Sequence, residues 1–282
     1  MSIKEIMKKP ITIGNDSTMH DALRKILQHN ISRVLVTDDT GAPTWIVTEK
    51  DLGFFLLADK SEKSLDQIPL STIKKPIISV GHVASIKDSA SVLLSKNIGS
   101  LGISNSEGVI SGIITKTDLT RYYIDHFVGK KRVGDVMTVS YVSMHSEDSL
   151  DKVISEMLKQ KVSRIILKDA SDIPEGIMTF RDIFRISLTL GGEEKIVDNV
   201  DPTISVVFPR KGFVSDSGFG GTILAKELMQ KNIVSVDYDD DLVTGCAEII
   251  ESNVHGVGVL INDKLSGILS KTDVMKAITQ IG

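Results

Sequence analysis

The chain has 282 residues, enough for two domains of ordinary size; 41% are hydrophobic and only 5% aromatic, so its cores are expected to be built from Ile, Leu, Val and Met. Lys and Arg number 33 against 37 Asp and Glu, and the net charge of -4 argues against an extended nucleic-acid face, which needs clustered basic charge. A lone cysteine, Cys246, excludes an internal disulfide framework and a cysteine-rich zinc site, and no apolar run approaches the roughly 18 residues that cross a membrane.

The first segment, IKEIMKKPITI, reads as a short amphipathic lead. It lacks the apolar core and small-residue cleavage site of a signal peptide, so a cytoplasmic location is expected. Thr18 then fits a helix N-cap, with Asp21 approximating a capping box and Leu23, Ile26 and Leu27 at helical spacing. NISRVLVTD reads as a strand, a turn follows, and WIVTEKD is a second strand ending in Thr48, with Asp51 three residues on and a further helix beyond.

The same order then returns. STIKKPIISV leads to a helix capped by Ser85, with Asp88 in the box position, and then to NIGSLGISN and GIITKTD, which carries Thr115 and Asp118. VGDVMTVSYVSM leads to a helix behind Ser149, with Val153, Ile154, Met157 and Leu158 at helical spacing, and then to KVSRIILKD and GIMTFRD, which carries Thr179 and Asp182. AKELMQKNIVSV leads to a helix behind Asp241, in which Cys246 reads as a small buried residue, and then to NVHGVGVLIN and GILSKTD, which carries Ser270 and Asp273.

The four Thr/Ser-x-x-Asp pairs lie 67, 64 and 91 residues apart. A period this regular marks an array of one supersecondary unit: lead strand, helix, strand, strand, helix. We place the repeats at residues 1–58, 68–125, 130–188 and 222–282, an α/β (α+β) arrangement of four β-α-β-β-α units. One such unit cannot cover the exposed face of its small sheet, and burying apolar area is worth roughly 25 cal/mol per Å². Repeat 1 is therefore expected to pair with repeat 2, and repeat 3 with repeat 4. The longer third spacing leaves an irregular insertion at 189–221. TISVVF in it reads as a strand and Gly218, Gly220 and Gly221 as part of a crossing loop, expected to cover a site or contact a partner.

The pairs have two physical readings. Thr or Ser can cap the following helix, with Asp favoured on its first turn by the helix dipole. A hydroxyl and a carboxylate at the end of a strand can also hold a phosphate and a ribose diol, since a carboxylate accepts two hydroxyls at once.

Four copies of an apolar-x-Thr/Ser-x-x-Asp strand end, each behind a capped helix and a strand, resemble the cystathionine-β-synthase (CBS) domain, whose tandem pairs are called Bateman modules. The resemblance covers nearly the whole chain as two such modules, which can close into a disc. It implies a non-catalytic regulatory protein, an energy sensor in character, that binds adenosine-containing ligands (AMP, ADP, ATP or S-adenosylmethionine) between paired units. It implies that Thr48, Thr115, Thr179 and Ser270 meet phosphate and that Asp51, Asp118, Asp182 and Asp273 accept from ribose. A basic residue before the strand leading to the pair is common in members that bind phosphorylated ligands. Arg33 and Arg164 stand there in repeats 1 and 3, Ser100 and Gly256 in repeats 2 and 4. Lys50, Lys116, Arg181 and Lys271 lie inside the pairs, as phosphate contacts or as ordinary solvated charge. The glycine that opens the pattern (Gly112, Gly176, Gly267) is Trp45 in repeat 1, which either plugs that site or stacks on something within it.

His20, His29, His82, His126, His145 and His255 never fall at helical metal spacing, and no nucleophile has a base beside it in the sequence, so neither a metal site nor catalysis is expected. The reading is a sensor whose occupancy is read in trans by a target protein, with no membrane partner; two chains can assemble. The rival is a nucleic-acid-binding or scaffolding protein that keeps the fold and leaves its clefts unused.

Overall fold

The computed structural model describes residues 2–59, 61, 63–160, 162–179, 182, 214–215, 218–219 and 223–281. Arg181, the helix expected after Thr179 (apart from Asp182) and the expected strand TISVVF lie outside these residues. Of the insertion, the backbone of β11 (Val214–Ser215) and β12 (Gly218–Phe219) forms a short antiparallel pair.

Each repeat opens with a short strand that pairs in parallel with the first strand of its own hairpin: β1 (Thr12–Ile13) with β2 (Arg33–Thr37), β5 (Ser79–Gly81) with β6 (Ser100–Ser104), β8 (Ser143–His145) with β9 (Arg164–Lys168), and β14 (Ser235–Asp237) with β15 (Gly256–Ile261). The hairpins close with β3 (Pro43–Thr48), β7 (Ile110–Thr115), β10 (Pro174–Thr179) and β16 (Lys264–Ser270). A parallel pair needs a crossover, and here it is a ten-residue helix: α1 (Met19–Gln28), α3 (Ile86–Ser95), α5 (Leu150–Lys159) and α6 (Leu242–Glu251).

Those helices start where capping chemistry directs. Thr18, Ser85 and Ser149 accept from the backbone N–H groups of Asp21, Asp88 and Lys152, and Asp241 from that of Val243. Three of them stop at an Asn in the left-handed region (Asn30, Asn97 and Asn253, φ 47°, 50° and 51°), a conformation Asn tolerates and that ends a helix. The second helix of a repeat follows the hairpin: α2 (Glu49–Ala58), α4 (Lys116–His126) and α7 (Lys271–Gln280).

The lead segments divide in a way the sequence reading did not anticipate. Only the second half of each lead joins its own sheet. The first half crosses to the sister repeat, where Lys8 bridges Ile113 and Thr138 bridges Ile268, while β4 (Lys75–Pro76) pairs with β3 and β13 (Gln230–Lys231) with β10. A buried apolar residue at the head of each crossing segment anchors it just ahead of the sister's first helix. Ile3 donates its N–H to the Ala84 carbonyl, Leu70 to Ser17, Val133 to Asp240 and Ala225 to Asp148. Repeats 1 and 2 thus exchange leads with each other, as do repeats 3 and 4, each lead adding to its sister's sheet.

The chain divides into two compact units that cut across the repeats. The first holds Met1–Pro10, Ile77–Tyr141 and Ile233–Gly282, so it joins the bodies of repeats 2 and 4. Its single core runs from Leu93, Leu101, Ile114 and Tyr123 to Cys246, Ile249, Leu269 and Ile278, with α3 and α4 packed on α6 and α7. The second holds Ile11–Pro76 and Val142–Asn232. Its described residues form two separate cores, one around Met19, Leu23, Val34 and Leu70, the other around Val153, Met157, Leu167 and Ala225. Among the described residues no helix is long and apolar enough to cross a membrane.

Cys246 is unbridged and fully buried. Burial, aided by the Asp241 charge, pushes its thiol up to about 12 from the ordinary 9.0. The native thiol should therefore resist a maleimide at pH 8 and react only as the protein unfolds. Because the raised value belongs to the folded state, the thiol's contribution to stability is whole below pH 9. It declines as pH rises from 9 to about 12. Urea titrations of wild type and Cys246→Ala across that range check the sign, the variant showing the shallower decline.

Candidate functional site

Thr48, Thr115, Thr179 and Ser270 each end the outgoing hairpin strand, and in repeats 1, 2 and 4 the same residue is the N-cap of the next helix. All four pairs have one geometry. The hydroxyl donates to Oδ2 of the aspartate three residues on at 2.6 Å. The hydroxyl residue's own N–H donates to that same oxygen at 2.9–3.0 Å. In the three threonine repeats the aspartate N–H returns a bond to the hydroxyl at 3.2–3.4 Å. The capping reading is thus physically realised, and it consumes one carboxylate oxygen of each aspartate.

The other oxygen, Oδ1, faces the crossing segment of the sister repeat. Lys8 reaches Asp118 at 2.5 Å and Lys75 reaches Asp51 at 2.5 Å. The Gln230 amide donates to Asp182 at 2.6 Å, and the Thr138 hydroxyl to Asp273 at 3.2 Å, where Lys276 of the same helix also lies at 2.8 Å. The four crossing residues occupy one register position, paired with the residue two before the cap: Ile113, Ile46, Ile177 and Ile268. Asp118 and Asp51 are only 6% and 10% exposed while Lys8 and Lys75 are mostly exposed, so each lysine brings its charge from the surface to a sheltered carboxylate.

Sequence reasoning missed Lys8, Lys75, Thr138 and Gln230. Aligning the leads would have shown a polar residue at this position every time, but not that it crosses to the neighbouring repeat.

The same crossing explains the glycines and the exception at Trp45. A Cβ on Gly112 would lie 2.6 Å from Sδ of Met7, one on Gly176 2.6 Å from Sδ of Met229, and one on Gly267 2.7 Å from the Thr138 carbonyl and 3.2 Å from Met137. Each glycine makes room for the methionine that precedes the register residue. In repeat 1 both members change together: Trp45 replaces the glycine and Lys74 the methionine. The Lys74 ammonium sits 3.5 Å from the Trp45 ring centroid and also donates to Asn15. The contact that Trp45 makes is thus with the crossing segment.

The expected basic residues sit directly across the strand pair from the cap. Arg33 is the register partner of Thr48, Arg164 of Thr179, Ser100 of Thr115 and Gly256 of Ser270. The Arg33 guanidinium donates to Ser32 Oγ at 2.8 and 3.2 Å, which turns its fork toward the strand start. Lys116 donates to Thr272 Oγ1 at 3.0 Å, so the signature turns of repeats 2 and 4 touch inside the first unit, and Lys271 begins α7. Lys50 lies 5.3 Å over the Phe54 ring on its own helix. Among the described residues no group of three His, Cys, Asp or Glu is placed to hold a metal ion.

Two outcomes follow from this geometry. Thr115→Ala should cost about 1 kcal/mol in chemical denaturation without any ligand, the value of a lost cap. Trp45→Gly and Lys74→Met should be coupled, the double variant losing about 1 kcal/mol less than the sum of the singles because it restores the glycine–methionine contact of the other repeats.

A family model described as the CBS domain matches residues 3–56, 70–125, 133–189 and 225–280. Protein MJ1225 of Methanocaldococcus jannaschii, for which homology to g-AMPK has been suggested, superposes with a TM-score of 0.76 at 19% identity, covering 98% of this chain and 99% of that one. By sequence, the L-aspartate semialdehyde sulfurtransferase of the same organism is 28% identical over 152 residues, which are 50% of this chain and 28% of that enzyme. The uncharacterized protein MJ1404, also of that organism, is 21% identical over 99% of this chain and 62% of its own length. The chain therefore spans less than two thirds of these two relatives. Four family matches that together cover most of the sequence, on a fold that repeats one β-α-β-β-α unit, place this chain in the CBS domain family.

Proposed function

We propose that the chain is a regulatory, non-catalytic protein that binds adenosine-containing ligands at its signature turns and passes their occupancy to a target protein in trans. The carrying observation is the fourfold placement of a carboxylate whose Oδ2 is fixed by its own helix start while Oδ1 is held only by side chains. A rigid acceptor with one exchangeable oxygen suits a vicinal diol, because the helix holds the carboxylate in place before any ligand arrives.

Phosphate has its own support. The N-termini of α2, α4 and α7 carry partial positive charge, with Lys116 and Lys271 at the first helical position and Lys50 at the second. Arg33 and Arg164, across from the caps of repeats 1 and 3, add guanidinium forks on that side of the sheet. AMP, ADP and ATP fit this arrangement in repeats 1 and 3, and a less anionic adenosyl compound such as S-adenosylmethionine fits repeats 2 and 4, where serine and glycine stand opposite the cap. A ligand acts on a target only through different affinity for two arrangements of the chain, and the exchanged leads supply a linkage through which one repeat can feel its sister.

Thermal unfolding in the presence of AMP, ATP or S-adenosylmethionine tests the proposal. A ligand at about a hundredfold above its Kd should add about 2.7 kcal/mol, a rise of several degrees in Tm. Asp118→Asn and Asp273→Asn should lower the starting Tm slightly, through the weakened caps, and remove most of the ligand response. No response to any adenosyl compound, with salt-dependent RNA binding in its place, would favour the scaffolding rival.

A further inference from the structure

Resting on that ligand reading, we propose that the residue each repeat receives from its sister at the shared register position is a latch on the ribose-binding carboxylate, and that Lys8 and Lys75 make repeats 2 and 1 the tightly latched pair. Oδ2 of Asp118 accepts from both the N–H and the hydroxyl of Thr115, so it is fully used by the helix start. Oδ1 is the oxygen a diol can reach, and the Lys8 ammonium lies 2.5 Å from it. Asp51 repeats the arrangement, with Thr48 on Oδ2 and Lys75 on Oδ1. Two hydroxyl donors cannot both settle on a carboxylate edge while an ammonium holds its one exchangeable oxygen.

The latch can open without disturbing the sheet. Lys8 keeps both backbone hydrogen bonds to Ile113 at 2.9 Å whatever its side chain does, and Lys75 keeps its place in β4 opposite Ile46. Both ammonium groups sit at the surface and can move into water. In repeat 3 the equivalent occupant is the neutral amide of Gln230, and a charge-assisted bond is roughly twice as strong as a neutral one. In repeat 4 the Thr138 hydroxyl is a long contact at 3.2 Å, and the cation on that carboxylate, Lys276, comes from its own helix. Only in repeats 1 and 2, among the described contacts, does the sister repeat deliver a charge. A diol bound in repeat 2 therefore releases a side chain belonging to the lead of repeat 1, and the reverse holds for Lys75.

A lysine that contacted phosphate would act in the opposite direction, which makes the test sharp. Adenosine, which carries the diol and no phosphate, is titrated calorimetrically into the full chain and its Lys8→Met and Lys75→Met variants, with Asp118→Asn and Asp51→Asn as controls. Emission from Trp45, the single tryptophan, follows repeat 1, because Lys74 rests on its ring beside Lys75. The latch predicts that each lysine variant binds adenosine about two- to tenfold more tightly at the repeat it unlatches. It also predicts that wild-type affinity for this uncharged ligand rises with salt, as the exposed ion pair is screened. Unchanged or weaker adenosine binding in Lys8→Met and Lys75→Met, with binding still lost in the aspartate variants, overturns the latch and leaves the ligand reading standing. No binding of adenosine or AMP by any of the proteins overturns the ligand reading itself, and the latch with it.

Discussion

The two oxygens of the signature aspartate are pulled in different directions. Oδ2 closes a capping box with the residue that ends the strand, so in repeats 1 and 2 the helix start and the strand end are fixed to each other by a short hydroxyl–carboxylate bond and two longer bonds from backbone N–H groups. Oδ1 turns outward to the sister repeat. Placing a carboxylate at a helix N-terminus is favourable on its own account, so the geometry needs no ligand to hold it. In the proposed role, a group already oriented by the helix start loses little entropy when a ligand arrives.

Exchange of the lead segments does the rest. Each small sheet has an edge beside its outgoing strand, and an uncovered edge invites pairing with another chain. The sister's lead covers that edge, and its methionine fits the gap left by a glycine at Gly112, Gly176 and Gly267. The replacement in repeat 1, tryptophan against lysine, shows that the contact constrains a pair of positions and not either residue alone. A large flat ring takes the volume that methionine fills elsewhere, and the partner becomes a cation because that is what the face of a tryptophan attracts.

The cores differ in the same physical terms. Repeats 2 and 4 share one continuous apolar interior, in which the small residues Ala90, Ala277 and Cys246 are fully buried among the helices. Gly245 belongs to this packing, since a Cβ there would lie 2.4 Å from Leu269. Burial at that interface is complete enough to keep the Cys246 thiol protonated well into the alkaline range, and Tyr123 in the same core is shifted upward for the same reason. The described residues of repeats 1 and 3 make separate cores instead, each completed by the lead of the sister repeat through Leu70 or Ala225.

Local chemistry was legible in the sequence. The hydrophobic period, the caps at Thr18, Ser85, Ser149 and Asp241, and the fourfold Thr/Ser-x-x-Asp spacing determined the elements, their order and the candidate site residues, because each depends on neighbours within a few positions. Arg33 and Arg164, expected just before the strand, are the first residues of β2 and β9, directly opposite the cap. Only the tertiary structure decided which repeat each lead serves, and therefore that Lys8, Lys75, Thr138 and Gln230 meet the aspartates of their sisters. A two-residue strand carries no address for its partner: its pairing is chosen by which sheet edge lies open and which gap will take its methionine, and both exist only once the repeats have folded together.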